Sequence, residues 1–245
     1  MINIVIPMAG HGSRFVKAGY MMPKPLIDVK GHPMIEWVTK NIRPKTKHRF
    51  IYICQKEHIK KFEIDKILMN ISHDCKIITV DKVTDGAACT VLLAAKYIDN
   101  ENQLMIANSD QFVEIDIDKY LEKIFGYDGL IMTMKADDPK WSFIKYNSTN
   151  EVTLLREKEV ISDEATVGIY NFKHGSDFVK YAKRMIDKNV RVNNEFYVAP
   201  VYNEMIEDKK VITFYNIGSD RDRMHGLGIP DDLNKFLKTD INIFE

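Results

Sequence analysis

Met1-Ile2-Asn3-Ile4-Val5-Ile6-Pro7 runs directly into Met8-Ala9-Gly10-His11-Gly12-Ser13-Arg14-Phe15, and the reading of this opening decides the fold. The segment up to Pro7 is mostly apolar and has no basic lead-in. It stops too soon for a signal peptide or a membrane span, so it is expected to form a first buried strand. The strand then delivers two glycines and a cation to the place where a ligand phosphate would sit. Glycine permits positive φ and lets backbone amides approach an anion closely. Two other phosphate loops are excluded in detail: a dinucleotide fingerprint needs a third glycine where Phe15 stands, and a Walker loop needs Gly-Lys-Ser/Thr at its end. Taken alone, the Gly-x-Gly is equally well a turn between two elements.

Outward from this point the pattern alternates. Short apolar runs at Ile4–Ile6, Phe50–Cys54, Lys76–Val80 and Leu104–Ala107 are separated by segments with helical spacing, Pro33–Ile42, Glu57–Met69 and Gly86–Ile98. This is a parallel α/β arrangement, which binds ligands at the carboxyl ends of its strands. After Leu130–Lys135 the rhythm changes: Ser142–Tyr146 and Val152–Arg156 flank the turn-like Asn147-Ser148-Thr149-Asn150, which predicts a hairpin and the start of a second layer. Thr166–Phe172 and Val211–Tyr215 are expected as strands, and Asp177–Asp187, Phe196–Ile206 and a segment starting near Pro230 as helices. No Pro/Gly/Ser-rich linker, repeat or hexapeptide periodicity interrupts the chain.

A length of 245 residues suits a single domain over 1–245 with an elaborated edge. With 35 basic against 35 acidic residues there is no net field to attract nucleic acid or an anionic membrane, so neither is an expected partner and any anion must be held by local geometry. Cys54, Cys75 and Cys89 are odd in number, widely spaced and set in apolar stretches, which predicts buried free thiols and a cytoplasmic location.

Two further pieces carry chemistry. In Met22-Pro23-Lys24-Pro25-Leu26-Ile27 a lysine stands between two prolines that restrict its backbone on both sides. A rigidly presented ammonium neutralises phosphate charge at one place; the bland alternative is a solvated proline-rich turn. Asn108-Ser109-Asp110 follows the run Leu104–Ala107 directly, so Asp110 falls at the carboxyl end of a buried strand. There it suits a magnesium-binding carboxylate, although a turn or cap residue would look the same.

With these pieces assembled, the chain resembles the sugar-nucleotidyltransferase family (nucleotide-sugar pyrophosphorylases), in its small cytidylyltransferase branch. The signature stands here as Gly10–Arg14 and Pro23–Pro25, and the likeness extends over nearly the whole length. The resemblance implies an α/β fold with a Rossmann-like mixed sheet flanked by helices, of the nucleotide-diphospho-sugar transferase type. It implies a nucleotide-binding part over about 1–135 and a smaller, hairpin-containing acceptor-binding part over about 136–245. Met8, Ala9, Gly10, His11, Gly12 and Ser13 would hold the nucleotide together with Asn108 and with Asp85, Gly86 and Ala87, which look like the family's base- and ribose-contacting turn. Arg14 and Lys24 would be catalytic, and Asp110 would hold Mg2+. On the acceptor side, Glu157 and Lys158 resemble the family's Glu-Lys element, Gly168 its Gly-x-Tyr strand, and Asn194 and Glu195 the segment closing the acceptor pocket. Gly226-Leu227-Gly228-Ile229-Pro230-Asp231-Asp232-Leu233 matches the C-terminal signature, with one departure: Gly226 stands where many members carry a second metal-binding aspartate. Asp220, Asp222, His225 and Asp232 are the candidates to replace it; alternatively one protein carboxylate suffices and the triphosphate supplies the rest.

The implied partners are a nucleoside triphosphate, with CTP favoured, and a phosphorylated small-molecule acceptor, and the resemblance leaves room for a homo-oligomer. Without the family, Glu157-Lys158 is equally a surface pair worth little, Trp141 reads first as hairpin packing, His225 as a packed or capping residue, and Gln55 to Lys61 as a solvated helix face. A glycosyltransferase that uses nucleotide sugars, or a non-catalytic nucleotide-binding subunit, are the rival readings.

Overall fold

Strand β1 (Ile2–Pro7) is apolar because it is covered on both sides. Ile2, Ile4 and Ile6 enter one core with Phe50, Tyr52 and Met105, and Val5 enters the opposite one with Ile51, Ile53 and Leu104. The computed structural model describes residues 1–219 and 222–244. After β1 come α1 (Ser13–Lys17), β2 (Asp28–Val29), β3 (His32–Pro33), α2 (Met34–Asn41), β4 (His48–Gln55), α3 (Lys56–Phe62), α4 (Ile64–Ile71), β5 (Lys76–Val80), α5 (Ala87–Leu92), α6 (Ala95–Ile98) and β6 (Gln103–Ala107). The second half holds β7 (Gln111–Val113), α7 (Ile117–Glu122), β8 (Gly129–Lys135), β9 (Ser142–Tyr146), β10 (Val152–Glu157), β11 (Glu164–Phe172), α8 (Gly175–Asp187), α9 (Val201–Glu207), β12 (Ile212–Ser219), β13 (Met224–Gly226) and α10 (Pro230–Phe236).

One nine-stranded mixed sheet runs through both halves in the order β10-β9-β11-β6-β1-β4-β5, with β8 paired to β11 and β12 to β8. β6, β1, β4 and β5 are parallel, as the alternation predicts. The expected hairpin forms from β9 and β10, but it joins this same sheet through β11 and does not start a separate layer. The pivot is β11, buried along its whole length, whose register shifts between Thr166 and Tyr170. Gly168, at φ +80, sits inside that bulge, so the strand pairs with β9 before it and with β6 after it.

Three expected helices differ from prediction. Glu57–Met69 splits at Glu63, which adopts φ 50: α3 buries nothing, and the break turns α4 so that Ile64 and Leu68 reach the core. Gly86–Ile98 splits into α5 and α6. Phe196–Ile206 becomes helical only at Val201, because the backbone of Phe196 is already bonded to Asp85 and Ala88.

A third, smaller core gathers Phe15, Ile27, Val29, Met34, Trp37, Phe112, Leu227, Leu233 and Phe236. Each of its members is a close neighbour in sequence of Arg14, Lys24, Asp110 or Gly226, or belongs to α2 or α10, and burying these side chains together draws those segments to one place. Trp37 Nε1 donates to Val29 O (2.6 Å), and Lys30 Nζ donates to Thr239 O (2.6 Å) and Ile241 O (2.8 Å), which ties down the chain after α10. Among the described residues no helix is long and apolar enough to cross a membrane. Cys54 is buried, whereas Cys75 and Cys89 are only partly so, and all three are free.

Candidate active site

The glycine-rich loop leaves the sheet after Met8, whose amide still donates to Ile53 O (2.9 Å). Gly12 takes φ +59, and its carbonyl accepts from Phe15 N (2.9 Å) to start α1. A Cβ on Gly12 would lie 3.2 Å from Lys24 Cβ, so the glycine lets the lysine stem pass close to the loop. Gln55, at the end of β4, donates to Ala9 O (2.8 Å) and steadies the loop from beneath. Lys24 opens a single 3₁₀ turn after the extended Pro23, which is the rigid presentation the flanking prolines predict.

Asp110 follows β6 at its carboxyl end. Asn108 N donates to Gly168 O (3.0 Å), and Leu227 N donates to Asp110 O (2.8 Å), so the β11 bulge and the C-terminal signature both grip this turn. Lys24 Nζ donates to Asp110 Oδ2 in a partly buried ion pair. Pro7, Met8, Gly10, Gly12, Lys24, Pro25, Asn108, Ser109 and Asp110 line one pocket. A second cleft shares Asn108 and Asp110 with it and continues past Arg14, Gln111, Trp141, Gly226, Gly228 and Asp232.

The acceptor-side residues form a group of their own. Ser142 Oγ donates to Glu157 Oε2, Lys158 Nζ donates to Tyr197 Oη (2.6 Å), and Lys158 N donates to Trp141 O (3.0 Å), which links the group to the second cleft. Burial pushes the Glu157 carboxyl above its usual range and the negative charge of Glu195 adds to the rise, while the Ser142 hydrogen bond and Lys158 pull it back. The turn expected to meet the base lies against the acceptor segment: Ala88 N donates to Phe196 O (3.0 Å) and Phe196 N to Asp85 O (2.7 Å).

The sequence profile of the family described as Nucleotidyl transferase matches residues 4–216. The chain belongs to that family. This nucleotidyl transferase is 25% identical over 179 residues to the bifunctional protein GlmU of Methanococcus maripaludis (strain C5), a match that covers 71% of this chain and 40% of the relative. It is 26% identical over 210 residues to the bifunctional protein GlmU of Oenococcus oeni, covering 80% of this chain and 44% of that protein. The chain therefore spans well under half the length of these curated relatives. Among solved structures, the nucleoside-diphosphate-sugar pyrophosphorylase from Vibrio cholerae RC9 superposes with a TM-score of 0.83 at 26% identity, covering 96% of this chain and 100% of that one. The inositol-1-phosphate CTP transferase from T. maritima shares the fold, with a TM-score of 0.74 at 12% identity over 98% of each chain.

The fold thus brings Met8, Gly10, Gly12, Asn108, Lys24 and Asp110 of the nucleotidyl transferase onto one pocket and Arg14 onto the adjoining cleft. Ala9 is buried in the core beneath the loop, and His11 and Ser13 are exposed on it. Glu157, Lys158 and Glu195 come together, Asn194 sits at an exposed turn with φ 64, and Gly168 abuts Asn108, where a Cβ would lie 2.1 Å from Asn108 Nδ2.

Of the candidates to replace the aspartate missing at Gly226, Asp220 lies outside the described residues. His225 Nε2 is bonded to Glu114 Oε1 (2.6 Å), and Asp222 turns back on Gly218. Asp232 lines the same cleft as Asp110, with Oδ2 3.3 Å from where a Cβ on Gly226 would be. A divalent cation fits this donor set, because magnesium needs only one or two protein carboxylates and takes its remaining oxygens from phosphate and water. Gly228 lets the C-terminal signature pass close to Asp110, since a Cβ there would lie 2.2 Å from Asp110 Oδ2.

Three contributors escape a reading of the sequence alone. Gln55, which looks like part of a solvated helix, holds the loop; Gln111 Nε2 and Trp141 Nε1 are buried without a hydrogen-bond partner, and both residues line the second cleft. Only an apolar neighbourhood around Gln111 hints at its role.

Proposed function

We propose that the chain transfers a nucleoside monophosphate, CMP from CTP as the favoured case, to a phosphorylated small-molecule acceptor with Mg2+ and release of pyrophosphate. The observation that carries this reading is the meeting of two cavities at Asn108 and Asp110, one lined by the glycine loop and Lys24 and the other by Arg14, Trp141 and Asp232. An acceptor phosphate entering from the second cavity reaches the α-phosphorus of a triphosphate seated in the first.

On this reading the chain's own work is alignment and charge stabilisation. The amides around Gly10 and Gly12 receive the triphosphate, and Lys24 and Arg14 meet the charge that develops on the transferred group and on the leaving pyrophosphate. Asp110, with Asp232 beside it, would hold Mg2+, which when bound supplies charge neutralisation at the α-phosphate. No general base is needed, since the attacking phosphate is already ionised at neutral pH.

For the acceptor we favour phosphoglutamine, in a capsule phosphoramidate pathway. Glu157 and Glu195 beside Lys158 offer carboxylates and an ammonium to a ligand that bears both an amine and a carboxylate. A sugar 1-phosphate is the second reading, favoured by the likeness to a nucleoside-diphosphate-sugar pyrophosphorylase, with phosphocholine a third candidate for the same loop. The deciding experiment presents each of four nucleoside triphosphates with Mg2+ to a panel of phosphorylated acceptors and follows pyrophosphate. A parallel assay with nucleotide sugars as donors that released a nucleoside diphosphate would mark a glycosyltransferase, and triphosphate binding without turnover a non-catalytic subunit.

A further inference from the structure

We propose that Lys24 closes Asp110 to a free divalent cation, so that a cation enters this site only together with the triphosphate that draws Lys24 away. The inference rests on the roles proposed above for these two residues and adds an order of events to them.

The pair is built into the pocket. The Lys24 and Asp110 side chains retain 22% and 25% of their exposure, so their charges act on each other with less screening than a surface pair would have. Both backbones are held in place: Lys24 by Pro23, Pro25 and the 3₁₀ turn, and Asp110 by the bond from Leu227 N to its carbonyl. Glycine is found on each side of the pair, with Gly12 against the lysine stem and Gly228 against Asp110 Oδ2, so the groove is shaped to the pair. An ammonium donating to Oδ2 occupies one of the two carboxylate oxygens open to a cation, neutralises the carboxylate charge and repels a second positive charge.

The charge balance sets the order. Without ligand the pair is neutral, and a dication arriving alone would add positive charge beside Lys24 and Arg14. A triphosphate carrying its cation brings phosphate charge to Lys24 and Arg14 and positive charge to Asp110 and Asp232, so each sign meets its opposite only when the two arrive together. Lys24 can answer it without moving its backbone, because the ammonium rides on a flexible four-carbon stem above a fixed Cα. Its swing from the carboxylate to the phosphates frees Asp110 as the cation arrives.

The test uses nucleotide-free protein and Mn2+ alone as the probe, with free Mn2+ counted by electron paramagnetic resonance. Lys24→Met should bind Mn2+ at least about tenfold more tightly than wild type, the scale of one charge-assisted hydrogen bond. Adding Asp110→Asn should abolish that gain. Lys24→Gln serves as a second variant should the methionine perturb folding, which circular dichroism checks. Wild type binding Mn2+ as tightly as either variant, or a gain that survives Asp110→Asn, overturns the proposal. Pyrophosphate release tests the proposed reaction separately, so the two readings fail independently.

Discussion

A Cβ on Gly86, which adopts φ +122, would lie 2.5 Å from both the amide nitrogen and the carbonyl oxygen of Phe196. These two residues join the turn expected to hold the base to the segment expected to close over the acceptor, and the contact is backbone against backbone. Arg191 extends the same seam, with its guanidinium 4.3 Å from the Phe196 ring centroid and 3.8 Å from Asp85 Oδ2.

Gly86→Ala should therefore lower stability by about 2–4 kcal/mol, from strain at positive φ added to overpacking. Urea unfolding measures the loss. It should also raise KM for the triphosphate and for the acceptor together, because both segments must shift; a change in only one KM would show that the seam does not couple them.

Lys24→Ala should lower turnover by about 10²–10³-fold, the scale for removing one preorganised charge-stabilising group. Steady-state pyrophosphate release at saturating substrates is the measurement. Turnover within about threefold of wild type would remove Lys24 from the chemistry.

Asp110→Asn should shift the magnesium dependence of the rate to higher concentration, since a neutral amide is a poorer ligand for a hard cation. Asp232→Asn should shift it in the same direction by less, because Asp232 lines the cleft at its Gly226 end, where it is already paired with Lys235, and does not line the glycine-loop pocket as Asp110 does. Magnesium titrations that superpose on wild type would take both carboxylates out of the site.

Glu157 predicts a pH dependence of stability. Its folded-state pKa is raised above the ordinary value of 4.5, with burial as the main cause. The native protein then binds more protons than the unfolded chain, so stability falls as pH rises from about 4.5 through the raised value. Glu157→Gln should flatten that fall in thermal or urea unfolding followed across pH. An unchanged slope would place the titration elsewhere.

Much of the nucleotide side is legible in the sequence, because the devices there are local. Proline sets the extended approach to Lys24, glycine takes the φ of Gly12 most readily, and an apolar run such as Leu104–Ala107 reads as a strand covered on both faces. The same locality explains the misjudged helices. Helical spacing persists through Glu63 and through Leu93-Ala94, and only the need of Ile64 and Leu68 to meet the core bends the first of these segments.

The sequence by itself determined the parallel arrangement of the first strands, the loop, the constrained lysine and the place of Asp110 at the end of its strand. Only the tertiary structure decided that Lys24 and Asp110, 86 residues apart, form an ion pair, and that a bulge at Gly168 turns β11 from one partner strand to the other. It likewise decided that Gly86 lies on Phe196, and that Asp232 stands nearest the position left empty by Gly226 among the described candidates. The division has one physical cause. Backbone preferences act over a few neighbouring residues, whereas the meeting of distant charges and glycines depends on which apolar faces are buried together, here the small core of Phe15, Ile27, Phe112 and Leu227 that draws the four site segments to one place.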